Sequence, residues 1–126
     1  MLEVLEEART LVEQGHCKGY FARDAKGEVT SLLGREAVSF CTAGAVYRVA
    51  YKMGVVDEGY NMVLDYFAIV LRELYPNAGK ALTSVNTWND VPERTANEVI
   101  ALYDNVIERV KSGEYSRWKE GYYVSD

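Results

Sequence analysis

The sequence predicts a mainly α-helical fold: a compact bundle of about four helices, with room for a small β-hairpin near residues 20–30. Three observations lead there. Apolar residues recur at three- and four-residue spacing in several long segments. Residues Thr95 to Glu98 have the pattern of a helix start. Gly15, Gly54, Pro76 and Gly113 fall where the periodic segments stop.

The first helix is expected over 2–14. Val4, Leu5, Ala8, Leu11 and Val12 share one face, and Gly15 is read as the left-handed residue after its end. Residues 16–29, "HCKGYFARDAKGEV", break the period. They read as a loop with extended pieces, turning at "DAKG" (24–27). A second helix is expected over 35–53, with Ala37, Cys41, Gly44, Ala45 and Arg48 on one stripe and Gly54 at its end. A glycine inside a helix costs about 1 kcal/mol relative to alanine, so close packing is the expected reason for Gly44.

A third helix is expected over 57–74. Asp57 is its cap, Glu58 is in its first turn, and Met62, Tyr66, Ile69 and Val70 form its apolar face. Pro76 and "NAG" stop it. Residues 80–87 suit a short helical turn ending near Trp88. In the last helix, Thr95 and Glu98 form a capping box, and Val99, Leu102, Val106 and Val110 repeat as a core stripe. Residues 111–113, "KSG", end it. The tail 113–126 carries Tyr115, Trp118, Tyr122 and Tyr123, too aromatic for a simple disordered end. It is expected to pack on the domain or on a partner.

The 126 residues suit one domain, 1–126, with one core. A net charge of −5 argues against binding through nucleic-acid phosphates. The acidic start "MLEVLEEART" lacks a signal-peptide pattern, and the apolar run "YFAIVL" is too short to span a bilayer. A cytoplasmic protein with no nucleic-acid or membrane partner is therefore expected, its two cysteines free thiols. Ten tyrosines stand out in the composition. They either rim the core or line a pocket or interface.

The common catalytic and phosphate-binding motifs are absent. His16, Cys17, Asp24 and Cys41 are too few and too scattered for a zinc site, so no metal and no cofactor are expected. Cys41 with His16 could form a nucleophile and base, but a cysteine on a small-residue stripe more simply packs as a buried thiol. In "WNDVPERTANEV" (88–99), Pro92 pushes Val91 into an extended conformation. Asn89 or Asp90 then makes a tight turn, and Thr95 caps the helix. The same stretch brings amide donors, Arg94 and the Trp88 indole near one helix start, an arrangement that also suits an anion.

"GHCKGYFARDAKG" (15–27), "CTAGAVYRVA" (41–50) and "WNDVPERTANEVIALYDNVI" (88–107) together resemble an uncharacterised family of small helical proteins from bacteria and phages, a domain of unknown function. Its pattern is an Ala-Arg-Asp-Ala-x-Gly turn, a Cys-x-x-Gly-Ala helix and a Trp-Asn-Asp turn before an Arg-Thr capped helix. Arg23, Asp24, Gly27, Cys41, Gly44, Ala45, Trp88, Asn89, Asp90, Arg94, Thr95 and Glu98 match it. The resemblance implies a shared fold and brings no known activity.

Within those blocks, Arg23, Asp24, Trp88, Asn89, Asp90 and Arg94 are the candidate ligand-binding residues. They form either a polar network or a pocket edged by tyrosines. In the network, Asp24 pairs with Arg94, and Asp90 bonds to backbone amides. The leading functional expectation is a non-enzymatic binding protein for a small polar or anionic ligand, or for a protein partner. A nucleotide-like signal, sequestered as in phage counter-defence, is one such ligand by analogy. One alternative is a small enzyme using Asp24 or Asp90 as acid or base with Arg94 as an anion clamp. Another is a homodimeric interaction module.

Overall fold

A computed structural model of the chain describes residues 1–79 and 84–113. Five helices and one pair of short strands make up the regular structure of these residues. They are α1 (Leu2–Gln14), β1 (Ala22–Arg23), β2 (Ser39–Phe40), α2 (Thr42–Lys52), α3 (Asn61–Leu74), α4 (Val85–Asp90) and α5 (Ala96–Lys111). A π-helical turn, Val56–Tyr60, leads into α3. The fold is mainly α, as the periodicity predicts. None of the described helices is long and apolar enough to cross a membrane.

The core forms because each helix turns one apolar stripe inward. Val4, Leu5, Ala8 and Val12 of α1 meet Val46, Val49 and Ala50 of α2 and Val99, Tyr103 and Val106 of α5 in one buried cluster. Phe67 of α3 packs edge-on against Tyr103, ring centres 5.0 Å apart. The buried Tyr103 hydroxyl donates to the Thr42 carbonyl at 2.8 Å, tying α5 to the start of α2. The aromatic tail beyond residue 113 and residues 80–83 of the helical turn expected over 80–87 lie outside the described residues; 85–87 are helical, in α4.

Helices α1 and α5 run as the sequence predicts, and the Thr95–Glu98 capping box is complete. Four expectations need correction. Gly15 is extended (φ −173°), not left-handed. Its missing side chain matters for another reason: a Cβ there would lie 2.4 Å from the Val38 carbonyl oxygen. Helix α2 starts at Thr42 rather than near residue 35. The Phe40 amide and carbonyl pair with Gly15 and Cys17, and Cys41 caps the helix by accepting from the Gly44 amide at 3.2 Å. Helix α3 starts at Asn61, directly after the π-helical turn Val56–Tyr60. Asp57 caps nothing, and the buried face is Val63, Tyr66, Phe67, Val70 and Leu71 rather than one centred on Met62 and Ile69.

The fourth correction concerns the opening of the third block. Trp88, Asn89 and Asp90 are the end of α4, not a turn. The turn is Val91 to Arg94, closed by a 2.9 Å hydrogen bond from the Arg94 amide, with Pro92 at its second position. Asparagine and aspartate usually favour turns. Here tertiary partners for both side chains override that preference. The expected hairpin is half present. "DAKG" turns back on itself, with Gly27 left-handed (φ 82°) and Arg23 bridged to Val29. The two-stranded sheet, however, pairs β1 with the distant β2.

Candidate functional site

Asn89 is fully buried, with 0% of its surface exposed, and it is the polar centre of the molecule. Its Oδ1 accepts from the Thr42 amide at 3.0 Å, the Thr42 hydroxyl at 2.6 Å and His16 Nε2 at 2.8 Å. Its Nδ2 donates to the Cys17 carbonyl at 3.2 Å and to Asp90 Oδ1 at 2.9 Å. The Thr42 N–H and the Cys17 carbonyl fix which way round the amide sits. His16 must therefore donate from Nε2. One side chain thus satisfies the start of α2 and, through His16 and Cys17, the first loop.

The loop is pinned again next door. Asp90 Oδ1 accepts from the Gly19 amide at 3.0 Å, which meets the expectation that Asp90 bonds to backbone amides. Lys18 Nζ donates to the Val91 and Pro92 carbonyls at 2.9 and 2.8 Å. Arg23 donates to the carbonyls of Lys18 and Gly27. From the other side, the Cys41 amide donates to the Phe21 carbonyl. Gly44 lies so close to Phe21 that a Cβ there would come within 2.2 Å of the same oxygen.

The six candidate residues therefore separate. Asp24 does not meet Arg94. Its Oδ1 accepts from the amides of Lys26 and Glu28 and shapes the hairpin turn. Arg94 pairs with neither Asp24 nor Asp90. Its guanidinium lies 4.0 Å from the centre of the Trp88 ring, donates to the Trp88 carbonyl at 2.9 Å and pairs with Glu98 at 3.3 Å. Local geometry explains this: Glu98 is one helical turn ahead and already held by Thr95. Trp88 is buried under that arginine, and its Nε1 has no acceptor among the described residues. The expected lock between first loop and last helix is instead a lock between first loop, α4 and the start of α2.

What the lock holds in place is the pair Tyr20 and Phe21. Their backbone is fixed, yet their side chains are 53% and 40% exposed. Both line two adjoining grooves. The first, about 300 Å³, also has Gly19, Cys41, Asn86 and Asp90 in its wall. The second, about 390 Å³, runs on past Thr30, Leu32, Leu33, Tyr47 and Tyr60. Tyr47 and Tyr60 pack edge to face there, centres 5.0 Å apart. Of the six candidates Asp90 lines the first of these grooves, and Trp88 lines a separate one with Tyr75, Glu98 and Leu102. Sequence reasoning missed Tyr20, Phe21 and Asn86. The signal was present in "KGYFARD", two adjacent rings in an otherwise polar loop.

Among the described residues, no group of three metal-ligating side chains comes together. Cys41 is buried, and burial pushes its thiol up to about 11 despite the Gly44 amide, which acts the other way. A thiol with that pKa is a poor nucleophile at neutral pH. Under native conditions at pH 8, Cys41 should react with a thiol reagent far more slowly than an unfolded control. Equal rates, read by mass spectrometry of the labelled peptide, would contradict this.

His16 gives a second check. Burial lowers its pKa below the ordinary 6.5, outweighing the Asn89 hydrogen bond, which raises it. The unfolded chain therefore takes up the proton first as pH falls. Stability should drop from about pH 6.5 downward until the folded histidine also titrates. His16→Gln should flatten the dependence of the urea midpoint on pH between 7 and 5. An unchanged slope would show that the group does not titrate differently in the two states.

Residues 1–109 match the model of a family of unknown function (DUF6197). No curated protein and no solved structure matches the chain.

Proposed function

The chain belongs to this family of unknown function, and from the geometry of its first loop we propose that it is a non-enzymatic binding domain for a small ligand seated in the double groove at Tyr20 and Phe21. One observation carries the reading. Two exposed aromatic side chains stand on a backbone that is fixed on both sides, by Asn89 and Asp90 of α4 and by Gly44 of α2. Exposed rings on a rigid frame give large contact area at low entropic cost. The groove volumes suit a small molecule, and the walls are mainly apolar with few polar groups.

The enzymatic alternative has little support. Asp24 holds a turn, and Arg94 has its donors directed to Trp88 and Glu98. Cys41 is a high-pKa thiol. An anion clamp built on Arg94 would first have to break those contacts.

The test uses a neutral planar probe, indole-3-ethanol, titrated into ¹⁵N-labelled protein. The amides of Gly19 to Phe21, Asn86 and Asp90 should shift together and saturate. Tyr20→Ser with Phe21→Ser should abolish the shifts while leaving the urea midpoint nearly unchanged, because both side chains are exposed. Shifts absent from the wild type, or spread evenly over the surface, would overturn the reading.

A further inference from the structure

Resting on that groove reading, we propose that the ligand is a cation: a flat apolar body with an ammonium or amidinium group at the end beside Asp90. Among the described residues that line the two grooves, Asp90 is the sole charged one. The rest are rings, aliphatic chains, hydroxyls, a thiol, glycine and the Asn86 amide. Only one Asp90 oxygen is used by the fold. Oδ1 accepts from Gly19 and Asn89, whereas Oδ2 has no hydrogen-bond partner among the described residues. One half of the carboxylate thus fixes the side chain, and the other half is left for an incoming donor.

The surroundings favour the same sign. The C-terminal end of a helix carries partial negative charge and attracts cations. Around the end of α4, Lys18 sits on the Val91 and Pro92 carbonyls and Arg94 on the Trp88 carbonyl. Those two cations, with Arg23, oppose a further positive charge. All three donate to backbone carbonyls, though, and none is in the groove wall. The oxygen of direct contact is Asp90 Oδ2. Tyr20 and Phe21 line the same groove, and aromatic ring faces also attract a cation. Among the described lining residues, an anionic ligand would meet a carboxylate and no donor stronger than an amide or hydroxyl.

A charge series on one ring system tests the class separately from the groove. Tryptamine, indole-3-ethanol and indole-3-acetate differ chiefly in the charge of the side group. Tryptamine should bind about fivefold tighter than the neutral alcohol, the scale of one charge-assisted contact at a partly exposed site. Indole-3-acetate should be the weakest of the three. Asp90→Asn keeps an oxygen for the Gly19 amide and should bring the affinity ratio of tryptamine to the alcohol close to one. Should that variant fail to fold, the wild-type series decides alone. Equal affinities for the three probes, or a preference for the acid, would overturn the cationic class and leave the groove reading standing. No shift at Tyr20 and Phe21 with any of the three would remove both.

Discussion

Asn89→Ala should destabilise the fold by about 3–5 kcal/mol, because the substitution strands several buried groups at once. The Thr42 amide, the Thr42 hydroxyl and the Cys17 carbonyl all lose the partner that the carboxamide supplies. The cavity left by the side chain is closed to water in the native packing, since Asn89 is fully buried. Asn89→Asp makes a sharper control. It keeps an acceptor for Thr42 but removes both donations from Nδ2, and it sets a second carboxylate beside Asp90. It too should be strongly destabilised. A urea midpoint within experimental error of wild type for either variant would contradict Asn89 as the hub.

Gly44→Ala should cost about 2–4 kcal/mol, although alanine is by far the better helix former. The new methyl would overlap the Phe21 carbonyl oxygen, and backbone cannot yield as a flexible side chain can. The loop must lift off α2, breaking the hydrogen bond from the Cys41 amide to Phe21. Binding of indole-3-ethanol should fall in parallel, because Tyr20 and Phe21 move with that loop. A variant as stable as wild type, or more stable, would mean that Phe21 does not rest on Gly44.

Much of the fold was legible because local rules and tertiary packing agree over long stretches. Helix α1 and helix α5 with its capping box need only their own periodicity and end signals. Gly44 announced a close approach through its cost inside a helix, and the approach is there. The failures have a shared cause. Thr42 begins α2 where Phe40 pairs with Gly15 and Cys17, contacts that nothing nearby in sequence marks. Cys41 as a cap and Asn89 at a helix end both run against local preference. Each is explained by a distant group, Phe21 20 residues from Cys41 and Cys17 72 residues from Asn89.

The candidate site was less legible than the fold. Polar residues concentrated in three blocks suggested one cluster joining Asp24, Asp90 and Arg94. Short-range partners win instead. Asp24 is satisfied within its own turn by Lys26 and Glu28, and Arg94 by Glu98 one helical turn on. Asp90 alone does what the network reading asked of it. The exposed pair Tyr20 and Phe21 could be seen in the sequence as an anomaly, but not as a site. Their meaning depends on Gly44 and Asn89 holding the backbone beneath them.

On this reading the backbone of residues 19–21 is a rigid frame rather than an ordinary surface loop. Native-state amide hydrogen exchange tests it most directly. The amides of Cys41 and Thr42 donate to the Phe21 carbonyl and to Asn89 Oδ1, and the Gly19 amide donates to Asp90 Oδ1. If the frame opens only when the core does, Cys41 and Thr42 should exchange as slowly as Val99 and Tyr103 in α5, with Gly19 close behind. Exchange at all three as fast as at Lys26, in the exposed turn, would mean the loop opens independently, and the preformed groove would be contradicted.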